Sequence, residues 1–329
     1  MPRIVRFYEK GGPEVLKIEE VEVPPPGPGE IAIAVKAIGL NRAEIMFRSS
    51  AYTETPEFPA RLGYEAAGVI TAIGSGVRGF APGDAVSFIP PLSITRWGAY
   101  GEVATFPAEV AVKHPASLSW NEAAAIWMQY ITAYGALIDV AKLGQGDFVV
   151  ITAASSSVGL AAIQIARMVG ATPVATTRTG AKKKALLDAG AAHVIASDEE
   201  DLAARLKDIT RGAGARVVFD PVGGPAFEPL TQAMSPGGIL LEYGALSPLP
   251  TPFPLFAVLT KSLTLRGYIY KEIVRDRERL EKAKKFILDG LAAGALKPII
   301  DRTFTLDEIV EAHRYLESNQ QFGKIVVTV

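Results

Sequence analysis

The chain has 329 residues, of which 49% are hydrophobic and 21% charged, and its net charge is −1. This length suits two separate cores, and the near-neutral charge offers no basic field for nucleic acid or an anionic membrane. No apolar run approaches the roughly 20 residues of a membrane span, and residues 1–6 lack the apolar core of a signal peptide, so we expect a cytoplasmic protein.

Cysteine is absent and histidine occurs only at His114, His193 and His313. The composition therefore excludes disulfides, thiolate zinc sites, iron–sulfur clusters and a cysteine nucleophile. Three scattered histidines also exclude a histidine-rich metal site, and we expect each of them to be structural.

The first 120 or so residues contain short apolar runs separated by glycine and proline turns. Strand-like runs occupy residues 31–40, 83–88 and 101–106, and the Pro/Gly-rich residues 24–29 precede the first of them. This pattern predicts an antiparallel, partly closed β-fold.

From Ser119 onward, helical and strand-like segments alternate. Ser119 is a candidate N-cap for an alanine-rich helix over residues 121–141, and helical stretches follow at 181–189 and 202–210. The predicted strands in this part of the chain are residues 148–153, 174–177, 193–196, 217–220, 238–243 and 263–267. Such alternation is typical of an α/β fold with a doubly wound parallel sheet.

The C-terminal segment returns to the texture of the N-terminal one. A charged helix over 273–291 is followed by a β-like stretch at 299–304, a helix at 306–316 and a strand at 324–329. We therefore predict a discontinuous domain formed by residues 1–122 and 266–329, with a second domain formed by residues 123–265.

Residues 149–178 have the form of a dinucleotide-binding βαβ unit. An apolar strand ends in a turn of small residues (TAASSSVG, 152–159), then a helix and a second strand follow. A pyrophosphate requires this close backbone approach to the N-terminus of a helix. The residue after the second strand lies near the adenosine ribose, where NAD sites carry a carboxylate, and here it is Arg178.

Taken together, motifs along most of the chain resemble the medium-chain dehydrogenase/reductase superfamily, in particular its zinc-independent, zeta-crystallin-like quinone oxidoreductase branch. The motifs are GGPEVL (11–16), GLNRAE (39–44), RS (48–49), GYEAAGVI (63–70), GAY (98–100), DPVGG (220–224) and GKIVV (323–327). The resemblance implies a Rossmann cofactor domain and a discontinuous, mostly β, GroES-like catalytic domain.

The same resemblance implies that the catalytic zinc of related enzymes is missing. Two cysteines and a histidine bind that zinc in the zinc-dependent relatives, and the matching positions here are Asn41, Tyr64 and Met128. None of these is a normal zinc ligand, since zinc prefers thiolate, imidazole and carboxylate. The structural zinc lobe with its four cysteines is missing as well.

The cofactor residues also follow from the resemblance. The three glycine positions of the dinucleotide motif match Ala154, Ser156 and Gly159. Arg178, together with Lys182, is suited to grip a ribose 2′-phosphate, so we predict NADPH rather than NADH. The complete predicted cofactor set is Thr132, Ala154, Ser156, Ser157, Val158, Gly159, Arg178, Lys182, Gly244 and Lys324.

Without a metal, hydride transfer to an electron-poor quinone or α,β-unsaturated carbonyl is easier than oxidation of a simple alcohol. Candidate catalytic residues, which would donate hydrogen bonds to the acceptor, are Asn41, Tyr52 and Tyr64. A packing role is open for either tyrosine. We expect Glu44, Arg48 and Glu65 to form a fixed polar network that supports the substrate cleft.

Three alternatives remain open at this point. The superfamily also contains enoyl-thioester reductases and carbonyl or alcohol dehydrogenases, and some relatives serve as crystallins or RNA-binding proteins. The near-neutral charge and the cofactor motif argue against the non-enzyme alternative. We expect a homodimer without nucleic-acid or membrane partners, and the apolar residues 248–256 fit either a substrate cleft or a dimer interface.

Overall fold

Two β-sheets and a hairpin contain all the strands of the computed structural model, which describes the whole chain from Met1 to Val329. The strands are β1 Arg3–Arg6, β2 Lys17–Glu20, β3 Glu30–Gly39, β4 Glu65–Ile73, β5 Ala85–Phe88, β6 Val103–Pro107, β7 Ala111–Lys113, β8 Phe148–Ile151, β9 Thr172–Thr177, β10 His193–Ala196, β11 Ala215–Asp220, β12 Met234–Glu242, β13 Thr264–Gly267, β14 Ile300–Thr305 and β15 Lys324–Thr328.

The α-helices are short except for α4 and α10. They are α1 Arg42–Arg48, α2 Trp120–Ala123, α3 Trp127–Tyr134, α4 Ser157–Met168, α5 Lys183–Asp188, α6 Leu202–Ile209, α7 Phe227–Gln232, α8 Leu255–Lys261, α9 Lys271–Val274, α10 Arg277–Ala292 and α11 Ile309–Glu317. A π-helix, Gly135–Val140, continues directly from α3. None of the helices combines the length and the apolarity that crossing a bilayer requires.

The chain divides into two compact units. Unit 1 contains Met1–Met128 and Pro298–Val329, and unit 2 contains Gln129–Lys297. The second segment of unit 1 begins at Pro298, whereas the sequence analysis let the discontinuous domain resume at residue 266. Residues 266–297 belong to unit 2 because their side chains are anchored there: the Tyr268 hydroxyl donates to the Ile131 carbonyl at 3.3 Å, and Arg279 pairs with Asp139.

Unit 2 contains the predicted doubly wound sheet. Its six parallel strands lie in the order β10-β9-β8-β11-β12-β13. From β8 the chain adds β9 and β10 on one side and β11 to β13 on the other, so the order of the strands reverses between β8 and β11. Buried aliphatic side chains such as Val150, Val174, Ile195, Val218 and Leu240 form the core of this sheet. Each predicted strand of this unit overlaps an observed one, whereas the helix predicted over 121–141 is broken into α2, α3 and the π-helix.

Unit 1 contains the partly closed β-fold. The order of its sheet is β14-β15-β3-β4-β5-β7, with β6 also paired to β3, and every pair except β14–β15 is antiparallel. Small residues allow α2 to approach this sheet closely: a Cβ on Gly39 would lie 2.1 Å from the Ala124 carbonyl oxygen. The sequence analysis did not predict α1 or β4, which contain Glu44, Arg48 and Glu65 of the predicted polar network.

Candidate active and cofactor sites

The turn between β8 and α4 has the geometry of an anion cradle. The Ser156 side chain caps α4 by accepting a hydrogen bond from the Gly159 N–H at 3.1 Å. A Cβ on Gly159 would lie 2.6 Å from the Ala154 Cα, so only glycine allows this close packing, and Ala153 adopts the left-handed φ of 45°. The first N–H groups of α4, which begins with Ser157 and Val158, therefore lie directly at the turn.

Two cationic side chains belong to the segment that follows β9, the strand beside β8. The Lys182 ammonium lies 3.2 Å from the Ser155 hydroxyl, in the turn itself. Arg178 directly follows β9 and is exposed; its carbonyl accepts from the Asp198 N–H at 2.9 Å, while its guanidinium makes no hydrogen bond or ion pair within the protein. Because the Arg178 guanidinium is not engaged within the protein and Lys182 lies at the turn, these two side chains are suited to bind the 2′-phosphate of NADPH.

Two further predicted cofactor residues also lie in unit 2. Thr132 is buried in α3. Gly244 follows β12, and a Cβ at this position would lie 2.7 Å from the Pro221 carbonyl oxygen. This close approach joins the loop after β12 to the loop after β11, at the carboxyl edge of the sheet where open α/β sheets bind ligands.

Asp220, at the end of β11, organises the same edge of the sheet and was noticed in the sequence only as part of a motif. It accepts hydrogen bonds from the Thr152 hydroxyl and from the backbone N–H groups of Val222 and Gly223, the latter two at 3.0 and 2.9 Å. The carboxylate thereby ties the cofactor turn to the Gly-Gly loop. A buried aspartate that ends an apolar strand before Pro-Val-Gly-Gly is the sequence signal for this role.

Glu44 is the centre of the polar network in unit 1 and is completely buried. Its carboxylate accepts hydrogen bonds from the Asn41 N–H at 2.8 Å, the Tyr64 N–H at 2.9 Å and the Tyr100 hydroxyl at 2.6 Å. Burial raises the pKa of Glu44 to about 7, although these hydrogen bonds and the charge of Lys324 act in the opposite direction. The network predicted for Glu44 is therefore present.

Glu65 and Lys324 form a buried ion pair beside Glu44. The Lys324 ammonium contacts the Glu65 carboxylate and also donates to the Asn41 side-chain oxygen at 2.7 Å, while the other oxygen of Glu65 accepts from the Met128 N–H at 3.0 Å. These contacts place Lys324 inside unit 1 with no exposed side-chain surface. They give no support to the cofactor-binding role expected for Lys324.

Of the three residues expected at the zinc-ligand positions, Asn41 accepts a hydrogen bond from the Lys324 ammonium, the Met128 N–H donates to Glu65 and the Tyr64 N–H donates to Glu44. Glu65 is also the carboxylate that pairs with Lys324. A lysine at that place repels a dication, and amide, phenol and thioether groups are poor zinc ligands. No three histidine, aspartate or glutamate side chains lie close enough together to hold a metal ion. The residues present here do not fit zinc.

A second arm of the network runs from Glu44 to the surface. Tyr100 also contacts His313 Nε2 at 3.0 Å, Arg48 contacts His313 Nδ1 at 2.7 Å, and Arg48 pairs with Glu317, whose side chain is 33% exposed. Because arginine only donates, His313 accepts at Nδ1 and donates from Nε2 to the tyrosine oxygen. Burial lowers the pKa of His313 to about 3, and the charge of Arg48 lowers it further.

This arm shows what the sequence analysis missed. Arg48 belongs to the predicted network, but Tyr100 and His313 were not assigned to it. His313 is structural, as expected, yet it is fully buried rather than on a polar helix face. The GAY motif at 98–100 was the available signal for Tyr100.

The candidate catalytic residues differ in what they can still donate. Asn41 directs its amide hydrogens to the Gly39 carbonyl at 3.0 Å and to Glu44 at 3.4 Å, so it is engaged inside unit 1. Tyr64 is completely buried, with its ring edge-on to that of Tyr52 at 6.3 Å between centroids. Tyr52 is half-buried, and burial raises its pKa, so its hydroxyl keeps the proton at neutral pH.

Two family models match the chain. A model described as the alcohol dehydrogenase GroES-like domain matches residues 27–116, and one described as zinc-binding dehydrogenase matches residues 157–289. The second match begins with α4 at the end of the cofactor turn and continues through β9 to β13 of unit 2. It includes none of the three residues at the zinc-ligand positions.

Similar proteins cover nearly the whole chain. Quinone oxidoreductase 1 of Escherichia coli (strain K12) is 33% identical over 327 residues, 97% of each chain. The 2-haloacrylate reductase of Burkholderia sp is 30% identical over 332 residues, 98% of this chain and 97% of that protein. A crystal structure of Escherichia coli quinone oxidoreductase complexed with NADPH has a TM-score of 0.92 at 32% identity, covering 99% of this chain and 100% of that one.

Proposed function

Because the chain belongs to the medium-chain dehydrogenase/reductase superfamily, in its quinone oxidoreductase branch, we propose that it is a zinc-independent enzyme that reduces a quinone or an α,β-unsaturated carbonyl with NADPH. The observation that carries this proposal is the buried Lys324 ammonium between Asn41 and Glu65. This ammonium, paired with Glu65, lies beside Asn41, one of the residues that the resemblance matches to zinc ligands, and it supports a site without a metal.

NADPH is the proposed cofactor, and when bound it supplies the hydride. In this chain the N-terminus of α4 would bind the pyrophosphate, and Arg178 with Lys182 would bind the 2′-phosphate. The NADPH complex of the Escherichia coli relative supports this choice.

An electron-poor acceptor is proposed because the amide, phenol and thioether groups of Asn41, Tyr64 and Met128 are poor ligands for a Lewis-acidic metal. Hydride addition to a quinone or an activated alkene then depends on positioning and hydrogen-bond donors. Of the candidate residues, Tyr52 has a protonated hydroxyl in a half-buried position, so we assign it the donor role. The names of the two curated relatives, a quinone oxidoreductase and a 2-haloacrylate reductase, support acceptors of this kind.

A screen of NADPH consumption with quinones, enones, enoyl thioesters and aldehydes tests the reaction class. We expect turnover with small quinones or enones that survives EDTA. Complete loss of activity in chelator would contradict the zinc-independent mechanism, and turnover confined to thioesters or aldehydes would favour another reductase class. Affinity for RNA without turnover of any acceptor would favour a binding protein.

The donor role of Tyr52 has its own test. Tyr52→Phe should lower kcat/KM by about a hundredfold, the scale of a positioned proton donor. Tyr315→Phe is the control, because it removes a hydroxyl that donates to the exposed Asp301 at 2.6 Å. Equal rates for Tyr52→Phe and the unmodified protein with every acceptor would remove Tyr52 from the chemistry.

Cofactor preference can be tested at Arg178. Arg178→Ala should weaken NADPH binding by about ten- to a hundredfold, the value of one charged hydrogen bond or more, and leave NADH binding unchanged. Lys184→Ala, at a side chain that is 87% exposed and paired with Asp188, should leave both unchanged. Equal affinity of the unmodified protein for NADH and NADPH in a fluorescence titration would contradict the assignment.

We also propose a homodimer in the cytoplasm. β13 is an edge strand whose partner in the sheet is β12, and the nearby Phe253, Phe256 and Leu259 are 65%, 79% and 65% exposed. An open edge beside a large apolar surface fits a second copy of the chain. Light scattering should give the dimer mass for the unmodified protein and the monomer mass for Phe256→Glu, and cell fractionation tests the location.

A further inference from the structure

Glu242 is an acidic side chain whose carboxyl group has no cationic partner. It ends β12, and its Cα is paired in register with that of Asp220 at the end of β11. Both carboxyl oxygens of Glu242 are buried without a well-formed hydrogen bond and interact weakly with the Asp220 carboxyl group and the Gly244 N–H, whereas the Asp220 carboxylate accepts three hydrogen bonds. A native fold rarely leaves a buried carboxyl group unsatisfied without a reason.

The loops after β11 and β12 cover this pair. The Leu246 N–H donates to the Pro221 carbonyl at 3.0 Å, and the Gly224 N–H donates to the Thr251 hydroxyl at 2.8 Å. A Cβ on Gly223 would lie 3.8 Å from a carboxyl oxygen of Glu242, so this side chain lies directly against the Gly-Gly turn. These loops begin at the carboxyl edge of the sheet, beside the point between β8 and β11 where the order of the strands reverses.

The titratable groups that face Glu242 do not neutralise a negative charge there. Asp220 lies on β11, and Tyr243 follows Glu242 in the chain; burial raises the pKa of the Tyr243 hydroxyl, which therefore stays neutral. On the β13 side, Gly267 is opposite Glu242, and the preceding Arg266 donates to Glu272 at 2.6 Å instead. Burial first, and the charge of Asp220 second, raise the pKa of Glu242 to about 9.

The raised pKa of Glu242 makes the stability of the folded protein depend on pH. In the unfolded chain the carboxyl group ionises with a pKa of about 4.3, so the folded protein binds one proton more than the unfolded chain between that value and about 9. Stability therefore falls as pH rises across that window. A residue that costs stability and makes no well-formed hydrogen bond is expected where function requires it.

We propose that the Asp220–Glu242 pair is a proton-linked part of the cofactor site, in which Glu242 must hold its proton for NADPH to bind tightly. The physical reason is charge, since an ionised pair would place two negative charges at the edge of the sheet that receives an anionic dinucleotide. Linkage is reciprocal, so NADPH binding in alkaline solution takes up a proton. This inference rests on the proposed cofactor and names a residue that the family motifs do not include.

The main test is the NADPH dissociation constant from pH 7.5 to pH 9.5, measured by fluorescence on the intact protein. A requirement for the protonated form predicts an affinity about fourfold weaker at pH 9.5, together with proton uptake on binding in calorimetry with two buffers. Glu242→Gln should remove both effects. Asp188→Asn, at an exposed carboxylate in the same unit, should retain them.

A second measurement separates the protonation of Glu242 from its coupling to the cofactor. Without NADPH, Glu242→Gln should unfold at a higher temperature than the unmodified protein, by a margin that grows from pH 7 to pH 9. The proposed coupling would be overturned if this difference in unfolding temperature is observed while NADPH binding has the same pH dependence in Glu242→Gln and in the unmodified protein.

The unmodified protein alone also decides the question if the variant does not fold. A dissociation constant that is the same from pH 7.5 to pH 9.5, without proton uptake, overturns the coupling and leaves the proposed function intact. Failure to bind NADPH at any pH overturns both.

Discussion

Glu44 in unit 1 and Glu242 in unit 2 both have carboxyl oxygens that are removed from water, and their surroundings differ. Glu44 accepts hydrogen bonds from Asn41, Tyr64 and Tyr100, and its neighbour Glu65 is paired with Lys324. Glu242 makes no well-formed hydrogen bond, and its closest charged neighbour is another carboxyl group, that of Asp220. A carboxylate held by several donors fixes the positions of those donors, whereas a carboxyl group without such donors responds mainly to its own proton.

The comparison explains how each unit could serve the proposed reaction. In unit 1 the saturated network fixes the backbone at Asn41 and Tyr64, which gives the acceptor a rigid surface. In unit 2 the cofactor must enter and leave, and a group whose charge changes with binding suits that task. The following substitutions test the hydrogen-bonded network around Glu44 and Glu65 in unit 1.

The largest effect is expected from Lys324→Met. This change leaves the Glu65 carboxylate buried without its cation, which typically costs about 3–5 kcal/mol of unfolding free energy. Chemical denaturation measures the loss. Lys285→Met, at a 77% exposed side chain paired with Asp289, should cost no more than about 0.5 kcal/mol.

A double variant checks the cause of that loss. Adding Glu65→Gln to Lys324→Met removes the unpaired charge, so part of the lost stability should return. If Lys324→Met costs no more than the Lys285 control, the ion pair does not stabilise unit 1.

The next effect concerns the pH dependence of stability at Glu44. Its folded pKa of about 7 lies above the unfolded value of about 4.3, so the folded state binds the extra proton between them and stability falls as pH rises through this range. The total change is on the order of 4 kcal/mol. Glu44→Gln cannot titrate, so its stability relative to the unmodified protein should rise from pH 4.5 to pH 7 and then remain constant.

Urea unfolding of the two proteins at several pH values measures this difference. A glutamine at position 44 would place its NH₂ group against hydrogen-bond donors that now face a carboxyl oxygen. Glu44→Gln should therefore be less stable than the unmodified protein at low pH. Parallel stability curves from pH 4.5 to pH 7 would show that Glu44 titrates normally.

The sequence predicted the parts of the molecule that depend on local patterns. The parallel sheet of unit 2 follows from apolar runs that alternate with helices, and the turn at 152–159 follows from its small residues. A local signal was overlooked at Asn41 and Glu44, which form the capping box that begins α1. Recognition of that signal would have placed Glu44 beside the Asn41 backbone.

The polar networks were not predictable in the same way. Glu65 and Lys324 are separated by 259 positions, and Tyr100 and His313 by 213, so no spacing in the chain joins them. Glu242 gave no signal because a glutamate that ends an apolar strand is ordinary in sequence. Its raised pKa depends on the register between β11 and β12, which places Glu242 beside Asp220.

The smallest of these effects is expected from Tyr100→Phe, which removes one hydrogen bond from the saturated network. Glu44 loses a donor and the His313 Nε2–H loses its acceptor, so the cost should be about 1–3 kcal/mol. Because the Tyr100 hydrogen bond lowers the pKa of Glu44, its loss should raise that pKa above 7, as measured by carbon NMR of the carboxyl group. Tyr8→Phe is the matched control, since it removes a hydroxyl that donates to Glu19 at 2.7 Å on the surface, and it should change stability by less than about 0.5 kcal/mol. An unchanged Glu44 titration in Tyr100→Phe would mean that the tyrosine only fills space, and that the contrast with Glu242 comes from the backbone donors and from Lys324.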